Sequence, residues 1–150
     1  MGVRPKQRAS STGEPMHYSV GAVIEVDGKG YLLIDRDMEP FGFAGIAGHI
    51  DEGETPEEAL VRKVEEEGKL TIVSSSLLYE EEVPWNRCRV GVNSHYWYLY
   101  KCEVTGELEN NPEASKSVGW YTPDRMRKLT MEPVWKYWFE KLGVLSPANE

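Results

Sequence analysis

The chain has 150 residues, a length that suits one domain with a single core, and a formal net charge of −8 with a pI near 5.0. That acidic balance argues against a generic nucleic-acid binder, and no apolar run approaches the roughly 18 residues of a membrane span. Its two cysteines, Cys88 and Cys102, lack CxxC spacing, which indicates neither a zinc site nor a disulfide framework; both are expected as reduced residues in strands. The N-terminus carries no signal-peptide apolar region. Met1-Gly2 is not followed by the Ser or Thr that myristoylation needs, because Lys6 stands there. A soluble cytoplasmic protein is the expectation.

Residues 1–15 are polar, mixed in charge and rich in Ser, Gly and Pro, and read as a flexible tail ahead of one domain over 16–150. From His17 to Val26, apolar residues alternate at Tyr18, Val20, Ala22, Ile24 and Val26, the periodicity of a strand. Asp27-Gly28 signals a hairpin turn that leads into a second strand from Tyr31 to Ile34. Asp35 to Ala47 reads as a loop, in which Phe41 and Phe43 are expected to pin the chain to the core.

The stretch from Gly48 to Leu70 then turns a glycine-rich loop into an acidic helix. Thr55 is placed as N-cap, Pro56 at the first helical position and Glu58 three residues after the cap, which predicts a capping box and a helix from Pro56 to about Gly68. Leu60, Val61 and Val64 share one face and are expected to pack on the core. Glu66 and Glu67 stand toward the other side, beside Lys63. A run such as Glu65-Glu66-Glu67 is by itself most often a solvated face. Carboxylates kept side by side repel each other, however, and hard divalent ions such as Mg2+ take such oxygens together with substrate phosphates. Gly48, Gly53, Glu54, the Thr-Pro cap and Arg62 add fixed offsets that a merely solvated helix does not require.

Leu70 to Val83 reads as an extended segment, weakened by Ser74-Ser75-Ser76. Tyr96, Tyr98, Tyr100, Cys102 and Val104 alternate in a strand from about His95 to Val104. A polar loop over 106–117, a short strand from Val118 to Tyr121 and a brief helix capped by Thr122 follow. The last helix begins near Pro133, carries Val134, Trp135, Trp138, Phe139 and Leu142 at spacings of three and four, and ends at Gly143. Its aromatics are expected in the core. His17, His49 and His95 are taken as non-catalytic, His49 being the one inside the loop-helix stretch. The order of elements suits a mixed sheet with helices packed on its faces.

The loop-helix resembles the Nudix box, the signature of the Nudix hydrolases: Gly, five residues, Glu, seven residues, then Arg-Glu-apolar-x-Glu-Glu-x-Gly-apolar. Gly48, Glu54, Arg62, Val64, Glu66, Glu67 and Leu70 match, whereas Lys63 replaces a glutamate and Lys69 a glycine, with Gly68 one place early. The resemblance covers about His17 to Gly143 and implies the Nudix α/β/α sandwich with a mixed sheet. It also implies a Mg2+-dependent hydrolase, with Mn2+ as an alternative ion, that cleaves the pyrophosphate of a nucleoside diphosphate linked to another moiety. By that likeness Glu66 and Glu67 hold metal, joined by the Gly48 carbonyl and by an acidic residue ahead of the Trp120 strand, for which Glu113 is the best match and Glu109 the alternative. Glu54 and Arg62 tie the loop to the helix, and the third glutamate position of the catalytic face is Lys63. The partner implied is a nucleotide-type small molecule, with no stable nucleic-acid complex, no membrane, and a homodimer compatible with the fold. Residues 63, 66 and 67 are helix neighbours, and unit charges about 4 Å apart interact by roughly 4 kcal/mol at an effective dielectric near 20. Lys63 should therefore weaken metal binding, unless it swings away or contacts substrate phosphate itself. This raises a second class of function, a catalytically weak domain that binds a nucleotide as a sensor. The isopentenyl-diphosphate isomerase branch of the superfamily is disfavoured, because no catalytic cysteine segment is evident around Cys88 or Cys102.

Overall fold

The apolar stretch of the N-terminal half builds a long parallel ladder at the centre of the sheet. In a computed structural model, which describes residues 4–88 and 90–146, the elements follow the chain as β1 (Gln7–Ala9), β2 (Pro15–Val26), β3 (Gly30–Arg36), β4 (Phe43–Ala44), β5 (Ile46–His49), α1 (Pro56–Gly68), β6 (Thr71–Val83), β7 (Ser94–Thr105), β8 (Ser115–Tyr121), α2 (Pro123–Met126) and α3 (Pro133–Lys141). Met1-Gly2 lies outside the described residues. β2 is the hub. It pairs parallel with β7 from Met16↔Ser94 to Ile24↔Cys102, and antiparallel with β1, β5 and, beyond a tight turn, β3. β6 extends the sheet beyond β7, and β8 and β4 pair with β3. The fold is thus mixed α/β, a mixed sheet with few helices.

Gly45 and its neighbour Ile46 show how the helices are placed. A side chain at Gly45 would run into the Trp135 indole of α3, while Ile46 reaches Gly68 of α1, as adjacent residues pointing to opposite sides should. Trp135, Trp138 and Phe139 are buried as the spacing of α3 requires, and Trp97 of β7 stacks edge-on against both tryptophans. Such contacts bury large apolar surfaces in a favoured ring geometry.

Five expectations change. The segment read as a loose tail contributes β1, and Arg8 pairs with Glu52 at 2.9 Å. Its side chains are exposed, so the segment's order comes from backbone pairing, which polar sequence conceals. Val61 is 51 % exposed; the buried stripe of α1 is Ala59, Leu60, Val64 and Glu67, displaced toward the acidic side of the helix. The loop read over 35–47 holds β4 and the start of β5, strands too short to show a period. Within it, Phe43 packs against Tyr121 as expected, but Phe41 is exposed. Ser74-Ser75-Ser76 does not interrupt β6, whose exposed face tolerates hydroxyls.

Candidate functional site

The site begins with the cap. Thr55 Oγ1 accepts the Glu58 amide and the Glu58 carboxylate accepts the Thr55 amide, so α1 starts where the capping box places it. Arg62, two turns on, donates to both carboxylate oxygens of Glu54 at 2.8 and 2.9 Å and to the His49 carbonyl at 3.0 Å. Glu54 also accepts the Asp51 amide at 3.0 Å. This fork-to-fork pair fixes the loop on the helix. The Arg62 guanidinium holds the Glu54 carboxyl below its ordinary range, and Glu54 in turn raises Arg62. At the other end the chain leaves α1 through Lys69, whose φ of 58° is left-handed, and its amide bonds the Glu65 carbonyl. A lysine therefore adopts the backbone that glycine adopts most easily.

One turn of α1 carries the charged centre. The Lys63 ammonium lies 2.9 Å from Glu67 Oε2 and 3.3 Å from Glu66 Oε1. Lys63 does not swing away: its stem crosses Gly48, where a Cβ would stand only 2.3 Å from Lys63 Cε. Gly48 is thus the residue that lets helix and strand come this close. Burial pulls the Lys63 pKa down, but Glu67 and Glu66 outweigh it and keep the ammonium charged. Burial pushes Glu67 up, with Lys63 and Arg36 pulling back, and the 2.9 Å contact identifies the pair as ionic. Glu67 Oε1, buried, has no hydrogen-bond partner among the described residues. An orphaned carboxylate oxygen in a charged cluster is costly unless a ligand completes it.

These groups face a cleft of about 610 Å³. Glu113 lines it too, on a loop tied to α1 by Asn111 Nδ2, which donates to the Glu66 carbonyl at 2.8 Å. Glu109 is not among the lining residues. Two further cleft residues belong to no motif. Arg36 is held by the Pro40 carbonyl at 2.6 Å, and Glu132 is buried at the start of α3, where desolvation pushes its carboxyl up to about 7.

A second cluster borders the same cleft. His17 of β2, His49 of β5, His95 of β7 and Cys88 of the β6–β7 connection bring their ligand-type atoms within 4.8 Å of one another. No CxxC spacing announces this gathering, because the four residues come from separate segments and meet only through the fold. Burial first, then the neighbouring histidines, lowers the pKa of His49 to about 3, and burial lowers that of His95 to about 4 and depresses that of His17. The His49 and His95 imidazoles are neutral at pH 7. Cys102 is elsewhere, buried, its thiol pushed up to about 12 by desolvation.

A mixed sheet, a glycine-hinged loop locked to an acidic helix by Glu54 and Arg62, and a cleft over that helix define a Nudix-type hydrolase fold. The NUDIX domain model matches residues 15–142, and the chain belongs to that family. A MutT NUDIX hydrolase from Burkholderia pseudomallei superposes with a TM-score of 0.72 at 22 % identity, covering 85 % of this chain and 98 % of its own. A MutT protein from Methanosarcina mazei Go1 gives 0.69 at 16 % identity, covering 86 % and 93 %. A MutT protein from Bacillus halodurans gives 0.65 at 21 %, covering 82 % and 79 %. No match emerges among curated proteins. At these identities the neighbours establish the fold. Family membership makes a hydrolase the class of activity, and the family generally uses divalent metals. No helix among the described residues is long and apolar enough to cross a membrane.

Proposed function

We propose that the protein hydrolyses the pyrophosphate linkage of a nucleoside diphosphate joined to another moiety, with one Mg2+ or Mn2+ ion held by Glu67 and Glu66 and with Glu113 at the rim. The observation that carries this reading is the unpartnered Oε1 of Glu67, buried beside a second carboxylate in a cleft large enough for a nucleotide. Two hard carboxylate oxygens fit a hard divalent ion, which usually binds through one or two carboxylates and completes its shell with water and substrate phosphate. When bound, the ion supplies Lewis acidity at the phosphoryl oxygens and offsets their charge.

The side chains of the chain itself do the rest. Lys63 brings a positive charge to the place where related proteins carry a third carboxylate, so its ammonium would offset part of the diphosphate's charge. Arg36, which also lines the cleft and is anchored there by the Pro40 and Glu39 carbonyls, adds a further positive charge for a phosphate. Glu54 and Arg62 keep the Glu66-Glu67 pair in position before substrate arrives. Proton removal from the attacking water falls to a carboxylate, for which Glu67 and Glu113 both face the cleft.

The Lys63 ion pairs also favour a second reading, a domain that binds a nucleotide without turning it over, because the ammonium occupies the carboxylates a metal needs. Phosphate release from nucleoside triphosphates, ADP-ribose and dinucleotides with Mg2+ separates the two. Turnover that disappears in Glu66→Gln supports the hydrolase. Tight nucleotide binding with no turnover of any compound supports the sensor and overturns the first reading.

A further inference from the structure

We propose that His17, His49, Cys88 and His95 form a tetrahedral site for a zinc-class transition-metal ion, separate from the carboxylate site of the Nudix helix and independent of the hydrolase reading. Three imidazole nitrogens and one cysteine sulfur are a borderline-soft donor set, suited to zinc and unsuited to magnesium or calcium.

The geometry is close to what such an ion requires. With zinc–nitrogen bonds of about 2.0–2.1 Å, the nitrogen–nitrogen edge of a tetrahedron is about 3.3–3.4 Å, and a nitrogen–sulfur edge with a bond of about 2.3 Å is about 3.6 Å. His49 Nε2 and His95 Nε2 lie 3.3 Å apart, and Cys88 Sγ lies 4.0 Å from His17 Nδ1. All four ligand atoms fall within 4.8 Å of one another, so small side-chain movements close the tetrahedron.

The outer partners select the correct ring atoms. His95 Nδ1 donates to the Asn86 carbonyl at 2.6 Å, which leaves the lone pair on Nε2, facing the cluster. His17 Nε2 donates to Gln7 Oε1 at 3.1 Å, which leaves the lone pair on Nδ1, facing Cys88. Metal-bound histidines are oriented in this way, by a carbonyl or amide on the far nitrogen. Asn86 is itself fixed, since its Oδ1 accepts the Trp97 indole N–H at 2.7 Å. The backbone register supplies the remaining alignment: His17 is the partner of His95 in the β2–β7 ladder, and His49 pairs across β2 at Ser19.

Four protein ligands leave no open position, which marks the site as structural. On binding, Cys88 loses its thiol proton to solvent and the thiolate bonds the ion; the three imidazoles enter neutral. The ion would then clamp the loop of Asn86 and Cys88 to the strand that leads into the Nudix loop, whose His49 carbonyl Arg62 already holds.

The test uses the full chain, stripped of metal with a chelator and titrated with Co2+ in reducing buffer. Expected is one ion per chain with the intense visible bands of tetrahedral cobalt and a near-ultraviolet thiolate charge-transfer band. The charge-transfer band disappears in Cys88→Ser and the visible bands weaken in His95→Gln, while Glu66→Gln retains both. A spectrum of weak octahedral cobalt in the wild type, or a charge-transfer band that survives Cys88→Ser, overturns the proposal. Should Cys88→Ser fail to fold, alkylation of the wild-type thiols decides: Zn2+ slows modification of Cys88 by about tenfold or more and Mg2+ does not, because only the free thiolate reacts. Equal rates with and without Zn2+ would reject the site.

Discussion

Replacing Lys63 by Glu is the sharpest probe of the charged centre. The ammonium stands 2.9 Å from Glu67 Oε2 and 3.3 Å from Glu66 Oε1, with the Lys63 side chain 20 % exposed. At about 3 Å and an effective dielectric near 20, the gross attraction is roughly 5 kcal/mol per pair. The net strength of a charge-assisted hydrogen bond after desolvation is smaller, about 1.5–3 kcal/mol. A divalent ion that takes these oxygens must displace the ammonium, so its affinity is reduced by about that net amount, or roughly 10- to 100-fold. Lys63→Gln removes the competitor, and Lys63→Glu also adds a third carboxylate. Calorimetric titration with MgCl2 and MnCl2 at fixed ionic strength should show tighter binding in Lys63→Gln and tighter still in Lys63→Glu. The Lys63→Glu protein should also melt lower than wild type in chelator, from three adjacent like charges, and recover on adding Mg2+. Titration curves that superimpose on wild type for both variants would refute the reasoning.

Glu132 has its carboxyl raised by burial to about 7, above the ordinary 4.5, so the folded state binds the extra proton between those values. Stability from this group is complete below pH 4.5 and lost as pH rises through 7, by about 3 kcal/mol once deprotonated; Glu132→Gln should match wild type in urea at pH 4.5 and exceed it at pH 8, and an equal difference at both pH values would sink the argument. Lys69→Gly places glycine in the left-handed C-cap and should raise the melting temperature, since the net gain after glycine's own entropy is up to about 1 kcal/mol; an unchanged or lower melting point counts against strain there. Arg62→Lys cannot span both Glu54 oxygens and the His49 carbonyl, and should cost about 2 kcal/mol or roughly 4–8 °C; a smaller loss than 1 °C would mean that the fork is not holding the loop. Gly45→Ala drives a methyl to 2.5 Å from the Trp135 ring and should cost about 1–3 kcal/mol with a changed near-ultraviolet tryptophan spectrum, both absent if the indole has room to move.

What the amino-acid order reveals depends on whether the cause is local. The Thr55-Pro56-Glu58 cap, the Glu54–Arg62 offset and the length of α1 are local chemistry, and each stands where the spacing places it. The strands β2 and β7 and the aromatic stripe of α3 are equally direct, but the alternation does not give the buried face: β2 is buried on both sides from Ser19 to Ile24, and in β7 Trp97 and Leu99 are buried more deeply than Tyr96 and Tyr98. The exposure of Val61 and the burial of Glu67 depend on how α1 rotates against the sheet, a tertiary choice that periodicity leaves open within a few tens of degrees. β1, β4 and β5 are two to four residues long and exist because of their partners. The histidine–cysteine cluster was hidden for the strongest reason: residues 17, 49, 88 and 95 share no motif, and only the register of β2 with β5 and β7 makes them neighbours. The metal roles of Glu66, Glu67 and Glu113 rest on the proposed function, and the Lys63 titrations test them.

The parallel β2–β7 ladder carries a kinetic consequence. Parallel strands cannot be joined by a tight turn, and here the intervening chain is about half the protein. The entropy of closing so large a loop must be met before any rung of the ladder returns energy, whereas the β6–β7 pairing spans a short connection and can zip first. His17 meets His95 only when that last ladder forms, so refolding chains should become competent to capture zinc in the slowest phase, together with native tryptophan packing rather than ahead of it.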